Sequence, residues 1–387
     1  MKLIITFGLI LLTILCLVLF VFALATLIPQ IPYIGSIANF ITIGFNHIWF
    51  PICVIIFIII LLISIKTKEY KHIYNICLIL SSVTLLIAFI TTGMAYFTLI
   101  NNGIKTNLFL NKKDISGVNV ETNVYTTSEY GDVELNVYYS EDNLKDKPVI
   151  IYIHGGGWVG GSKDNGSYYT KYFSKHGYVS ISVDYDLSNN DRHLADTTEL
   201  QIVETFAWVK NNIANYGGNI NRLYVIGDSA GGNLALDISY KINSGIYKES
   251  LDGTLLPQIS AVSVLYPVSS LETFYNNNDL LVGGMAKNMV SSYTGCSPEE
   301  NKELFDSLTP ANYLSDNTPP TSILLGTNDT LVPPQATYDL SEKLEKEGIN
   351  NQIIKVPFGN HIFDMVEGGM LSNAFIDITM KWFEQYH

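Results

Sequence analysis

Two short strings and one later pair hold the residue types that acyl-transfer chemistry needs. Leu223-Tyr224-Val225-Ile226-Gly227-Asp228-Ser229-Ala230-Gly231-Gly232 reads as a strand running into a helix through a G-x-S-x-G turn. Such a turn is so sharp that glycines must flank the serine, and its strain lifts the Ser229 hydroxyl out of the sheet. The helix starting at Ala230 points its backbone N–H groups at the same spot. The second string, His154-Gly155-Gly156-Gly157-Trp158, follows the apolar run Val149 to Ile153. Glycines leave their N–H groups unobstructed, so those of Gly156 and Gly157 can converge on a carbonyl oxygen as it becomes an oxyanion. His154 and Asp228 read as supporting residues of the two turns.

Two other uses of a glycine run fail on residue order. Gly156 to Gly161 has the G-x-x-x-x-G spacing of a phosphate loop but continues Ser162-Lys163, the reverse of the required order. A dinucleotide fingerprint needs G-x-G-x-x-G opening a helix, whereas bulky Trp158 and Val159 follow Gly157 here. The later pair is Asp329, in Leu324-Leu325-Gly326-Thr327-Asn328-Asp329, and His361, in Val356-Pro357-Phe358-Gly359-Asn360-His361. Each stands where a predicted strand ends, on the edge where sites in α/β sheets form. Asp364 is the nearest rival acid and reads as a solvated helix-start residue. His47, His72, His176 and His193 have no carboxylate paired with them at a strand end and read as interfacial or surface residues.

The elements that must position these residues follow from periodicity. Strands are predicted at Glu121 to Tyr125, Glu134 to Tyr139, Val149 to Ile153, Val179 to Asp184, Leu223 to Ile226, Ser260 to Tyr266, Ser322 to Leu325 and Gln352 to Val356. The central ones are continuous apolar runs, as strands buried on both faces of a mostly parallel sheet require. Helical stripes lie between them, as at Thr198 to Ile213 and Gln335 to Glu347, where Ala336, Leu340 and Leu344 recur and Gly348 stops the helix. The expected class is α/β, with helices around that sheet over residues 121–387. Residues 105–120 read as a tether. Residues 268–318 are rich in Asn, Ser and Tyr and too long for a plain connection, which predicts an inserted cap or lid.

Residues 1–104 are of another kind. Only 15% of the 387 residues are charged, against the roughly 25% usual for soluble domains, while 48% are hydrophobic. The deficit lies in the first 104 residues, whose charges are Lys2, Lys66, Lys68, Lys71 and Glu69, leaving the rest of the chain strongly acidic. A bilayer core takes about 20 apolar residues in a helix, and three stretches qualify: about 3–28, 48–65 and 73–100. Pro29, Pro32 and Gly35 break the first connection, and the basic Lys66, Lys68, Lys71 and His72 mark the second as cytoplasmic. The remainder of the chain then lies outside; cleavage at Ala23-Leu24-Ala25, should the first span be a signal peptide, would not change that. The acidic domain excludes a nucleic-acid partner, and with Cys16, Cys53 and Cys77 in the apolar runs its one cysteine, Cys296, leaves no pair for a bridge or half of a zinc site. Asn328-Asp329-Thr330 is a sequon overlapping the candidate acid, which favours a host that does not glycosylate, such as a bacterium.

The two strings together make the chain resemble the α/β-hydrolase superfamily, and within it the hormone-sensitive-lipase-like esterases, over roughly residues 120–387. The resemblance implies Ser229 as nucleophile, His361 as base, Asp329 as its orienter, and an oxyanion hole from the N–H groups of Gly156, Gly157 and Ala230. Two features depart from that family. Tyr185-Asp186-Leu187-Ser188 replaces the usual Tyr-Arg-Leu-Ala-Pro-Glu run, and the third span stands where N-terminal cap helices would be. The expected function is a membrane-anchored serine carboxylesterase or deacetylase acting on short-to-medium acyl esters of small molecules, lipids or glycans. An acyltransferase, a peptidase, a formamidase or a catalytically silent binding module on this fold are the alternatives. No metal and no organic cofactor is expected.

Overall fold

The computed structural model describes residues 2–66, 69–140 and 145–386; Lys68 of the predicted basic loop lies outside them. Contacts divide the chain into two compact units. One comprises Met1–Lys112, Gly326–Thr330 and Lys355–Ala374, and the other Lys113–Leu325, Leu331–Ile354 and Phe375–His387. This division does not run along the chain at residue 104: the loops that carry Asp329 and His361 belong with the apolar N-terminal helices.

The first unit holds α1 (Lys2–Leu27), α2 (Ile34–Asn39), a π-helical turn at Phe40–Gly44, α3 (Asn46–Lys66) and α4 (Lys71–Asn101). Ile5–Leu27 of α1, α3 and α4 are each long and apolar enough to cross a bilayer. Their large apolar side chains, Phe7, Ile10, Ile79 and Phe89 among them, stay exposed, whereas a helix of a water-soluble core would bury such a face. Alanines, cysteines, two isoleucines and one tryptophan form the buried clusters of this unit. Ala23, Trp49, Cys53, Ile87 and Ala88 form one cluster, and Cys16, Ile60 and Cys77 another.

Two connections differ from their sequence-based reading. The segment after α1 is not simply a broken loop, because α2 and the π-helical turn coil most of it. Gly35, in α2, lets that helix pack close to the preceding segment, since a Cβ there would stand 2.2 Å from the Pro29 carbonyl oxygen. The first part of the predicted tether is fastened down. Thr106 Oγ1 donates to Met370 O at 2.8 Å, Asn111 N–H to Gly368 O at 2.8 Å, and Asn373 Nδ2 to Asn111 O at 2.9 Å. Those partners lie more than two hundred residues away in sequence, so no local pattern announces them.

The second unit holds most of the sheet; the sheet's last two strands end, and the chain's last helix begins, in residues of the first unit. Its strands are β1 (Val118–Ser128), β2 (Gly131–Ser140), β3 (Lys147–Ile153), β4 (Val179–Val183), β5 (Gly218–Asp228), β6 (Ala261–Leu265), β7 (Thr321–Gly326) and β8 (Asn351–Val356). Their order is β1-β2-β4-β3-β5-β6-β7-β8. β1 and β2 pair antiparallel, as do β2 and β4, and every pair from β4 through β3, β5 and β6 to β7 is parallel. All eight predicted strands are present. β3, β4, β6 and β7 are buried along their whole length, as strands covered on both faces are, although Ser180 and Ser182 in β4 and Ser263 in β6 interrupt their Val, Ile and Leu residues. The helices after β2 are α5 (Ser167–Lys175), α6 (Ala195–Asn212), α7 (Ser229–Asn243), α8 (Leu271–Tyr275), α9 (Gly283–Thr294), α10 (Lys302–Ser307), α11 (Gln335–Lys346) and α12 (Met370–Phe383). Residues 268–318, where the sequence predicts a cap or lid, carry the short helices α8, α9 and α10.

Candidate active site

Ser229 stands at the junction of β5 and α7 with φ of 53°, a left-handed conformation that a non-glycine residue adopts only when its surroundings enforce it. Those surroundings are backbone. A Cβ on Gly227 would lie 2.4 Å from Gly231 O, and one on Gly231 would lie 2.2 Å from Ile153 O. The two glycines of the turn thus let β5, α7 and the end of β3 approach closer than any side chain permits. Ser229 is buried but retains 8% exposure.

The glycine loop after β3 is held by Asp228. Its Oδ1 accepts hydrogen bonds from Tyr152 Oη at 2.6 Å and from Gly155 N–H at 3.2 Å. Gly156 turns with φ of 120°, where a Cβ would stand 2.0 Å from Gly160 O, and Gly157 has φ of 60°. The side chain of Met289, from α9, lies over Gly157: a Cβ built there would be 2.4 Å from its sulfur. Trp158, at φ of 60°, is buried and stacks on Tyr293 of the same helix with ring centroids 4.5 Å apart. His154 is buried, its Nδ1 2.7 Å from Gly155 O, and it stacks on Tyr185 at 4.3 Å. Burial holds the His154 imidazole below its ordinary pKa, which favours the neutral form. Tyr185 Oη in turn donates to His154 O at 2.9 Å. Sequence reading missed Tyr152, Tyr185 and Met289; Tyr185 opens the stretch that departs from the family pattern, which was the one available signal.

Asp329 and His361 are brought together by the loops after β7 and β8. His361 Nδ1 is 2.7 Å from Asp329 Oδ2, with the Asp329 side chain 1% exposed. Asp364 is also buried, but the carboxylate facing His361 Nδ1 at that distance is that of Asp329. Backbone bonds lock the loops to each other: Thr327 N–H to Val356 O at 3.0 Å and Asn328 N–H to Gly359 O at 2.9 Å. Asn360 adds a side-chain clasp. Its Oδ1 accepts from His361 N–H at 2.7 Å and from Thr330 N–H at 3.0 Å, so one carbonyl oxygen sets the backbone beside both the acid and the imidazole. Sequence reading missed this residue, although it adjoins His361. Of the other histidines, His176 is exposed and stacks on Tyr172, and His193 Nδ1 lies 2.8 Å from Ser292 O.

A search of known families matches the family model BD-FAE over residues 135–344, more than half of the chain. The chain belongs to the BD-FAE family. Among curated relatives, Esterase LipC of Mycobacterium tuberculosis is 26% identical over 60% of this chain and 58% of its own length. The probable isoprenylcysteine alpha-carbonyl methylesterase ICMEL1 of Arabidopsis thaliana is 25% identical over 65% of this chain and 54% of its own. The chain thus spans little more than half the length of these relatives. Among solved structures, esterase B of Lactobacillus rhamnosis superposes with a TM-score of 0.59 at 19% identity, covering 77% of this chain and 94% of that one. The butyrate-bound Est2 of Thermogutta terrifontis gives 0.56 at 21%, covering 70% and 95%. These likenesses make the BD-FAE part of the molecule an α/β-hydrolase fold, as the two glycine strings imply.

Proposed function

We propose that this protein is a membrane-anchored serine carboxylesterase acting on short-to-medium acyl esters. The observation that carries the reading is the left-handed Ser229 between Gly227 and Gly231, followed in chain order by an acid and a histidine already in contact. Ser229 Oγ attacks the ester carbonyl as His361 takes its proton, and Asp329 fixes the imidazole tautomer and stabilises the imidazolium. The N–H groups of Gly156, Gly157 and Ala230 receive the oxyanion, each such donor contributing about 3 kcal/mol to the transition state. The tetrahedral intermediate collapses with loss of the alcohol, which receives the proton from His361. Water then attacks the acyl-serine by the same route and frees the acid. Relatives that are named esterases, and solved neighbours holding butyrate or propionate, support an ester of modest acyl length.

The three apolar helices serve as the anchor, and the basic residues between α3 and α4 set the cytoplasmic side. The acidic domain then faces outward, where envelope esters, acylated sugars and lipids are the accessible substrates. Full-length protein in detergent micelles, assayed on nitrophenyl esters from acetyl to dodecanoyl, tests the chemistry. Turnover peaking at the shorter acyl chains and lost in Ser229→Ala is expected; equal turnover by that variant would overturn the assignment. Protease added to intact cells should degrade residues beyond 105, and full protection of them would reverse the orientation.

A further inference from the structure

The loops bearing Asp329 and His361 are hydrogen-bonded to the segment that joins the first two apolar helices. Asn328, the residue before Asp329, donates through Nδ2 to Asn39 Oδ1 at 3.0 Å and to Thr26 O at 3.3 Å. Asn360, the residue before His361, donates through Nδ2 to Ser36 O at 2.8 Å. Thr26 lies in the last turn of α1, where helix carbonyls lack intrahelical partners. The receiving side is itself braced: Asn39 Nδ2 donates to Gly35 O at 2.9 Å, and Thr26 Oγ1 to Thr42 Oγ1 at 3.0 Å. Thr26, Ser36, Asn39, Thr42 and Asn360 are all buried.

Buried amides are costly to leave unpaired, so such a network admits few alternative arrangements. A chain of helices needs only apolar side chains to sit in a bilayer. Polar groups that pair with the flanks of a candidate acid and base have another use. We propose that residues 26–42 form a positioning element for the Asp329–His361 pair, with Asn39 acting through Asn328 and the Ser36 carbonyl acting through Asn360. Asn39 and Ser36 act here through Asn328 and Asn360, and the proposal rests on the acid–base roles assigned above. In this chain the N-terminal region is then part of the reacting apparatus as well as an anchor.

The test uses the full-length protein in micelles with nitrophenyl butyrate. Asn39→Leu keeps the packing volume but removes the acceptor for Asn328, and kcat should fall about tenfold with KM within about twofold of wild type. The acid limb of the kcat profile should move to lower pH, because a looser Asp329 stabilises the imidazolium less. Asn39→Asp, whose buried carboxyl in its protonated form keeps an oxygen facing Asn328 and a hydroxyl facing Gly35 O, should recover most of the rate. Asn328→Ala breaks the same bond from the other side and serves if Asn39→Leu does not accumulate. The double variant should be no slower than the slower single one, as expected of two residues acting through one bond. Wild-type kcat and pH profile in both single variants, with His361→Ala inactive, would overturn the positioning role alone. An active His361→Ala would instead overturn the acid–base reading beneath it. Equal losses in Asn39→Leu and Asn39→Asp, with kcat and KM changed together and additive effects, would mean a structural role only.

Discussion

Glycine closes backbone onto backbone in both regions, at Gly227, Gly231 and Gly156 around Ser229 and at Gly326 beside Asp329 and His361, but the second region is also clasped by asparagine amides. Gly227, Gly231 and Gly156 let backbone segments close to distances at which a Cβ would meet a carbonyl oxygen at 2.0–2.4 Å. No rotamer change can relieve those backbone contacts. Asn360 and Asn328 also hold the other loops through amide hydrogen bonds of 2.7–3.3 Å, which a change of side chain can weaken by degrees. The contrast teaches that one region should answer substitution by failing to fold, and the other by folding and working badly. It also suits the chemistry. A nucleophile and its oxyanion donors must be rigid before the reaction, while an imidazole must carry a proton between two oxygens.

The sharpest challenges to this contrast begin with the proposed reacting groups. Ser229→Ala should lower kcat about 10⁶-fold in the nitrophenyl ester assay while leaving the thermal midpoint in place. Asp329→Asn should cost about 10⁴-fold, because the imidazole is then held in the wrong tautomer; a loss below tenfold would point to Asp364 as the working acid. Gly231→Ala should lower stability by about 3 kcal/mol or prevent accumulation, measured by urea titration in micelles, since the carbonyls of Ile153 and His154 would have to move. Wild-type stability in that variant would break the comparison. Tyr152→Phe removes only the hydroxyl that steadies Asp228, so about 1 kcal/mol of stability and about tenfold in kcat are expected.

The smallest effect concerns His154. Its folded pKa is depressed by burial, so the unfolded chain binds a proton on this residue before the folded one does. Its contribution to stability is therefore full above the unfolded value of about 6.5 and declines as pH falls below it toward the folded value. Midpoints recorded from pH 7.5 to 5 should fall less steeply in His154→Phe than in the wild type.

Much of the molecule is legible in its amino-acid order. The eight strands can be located because each is a short run of β-branched and aromatic residues bounded by turn residues. The three long helices can be located because charge is absent from Leu3 to Ile65 and scarce to residue 104. The glycines of the two turns can be assigned because their role is local: the steric demand that excludes a Cβ acts within a few residues of the turn or at the neighbouring strand. The candidate residues Ser229, Asp329 and His361 stand at or just beyond strand ends, which is what singles them out in the sequence. Harder to see are Tyr152, Tyr185, Asn360 and the path from Asn39 to Asn328. An asparagine has the same letter whether its amide meets water or a loop three hundred residues away.

The amino-acid sequence alone thus determined which segments are apolar helices, which are buried strands, and where a sharp serine turn and a bare-amide loop must occur. All of these rest on hydrophobic periodicity and on the steric freedom of glycine, which are properties of neighbours along the chain. Only the tertiary structure decided which acid meets His361, which tyrosine hydroxyl steadies Asp228, and that the N-terminal helices share a compact unit with the loops of the acid and the base. Those choices are made by directional hydrogen bonds between residues far apart in sequence, whose partners are set by the packing that brings them within about 3 Å.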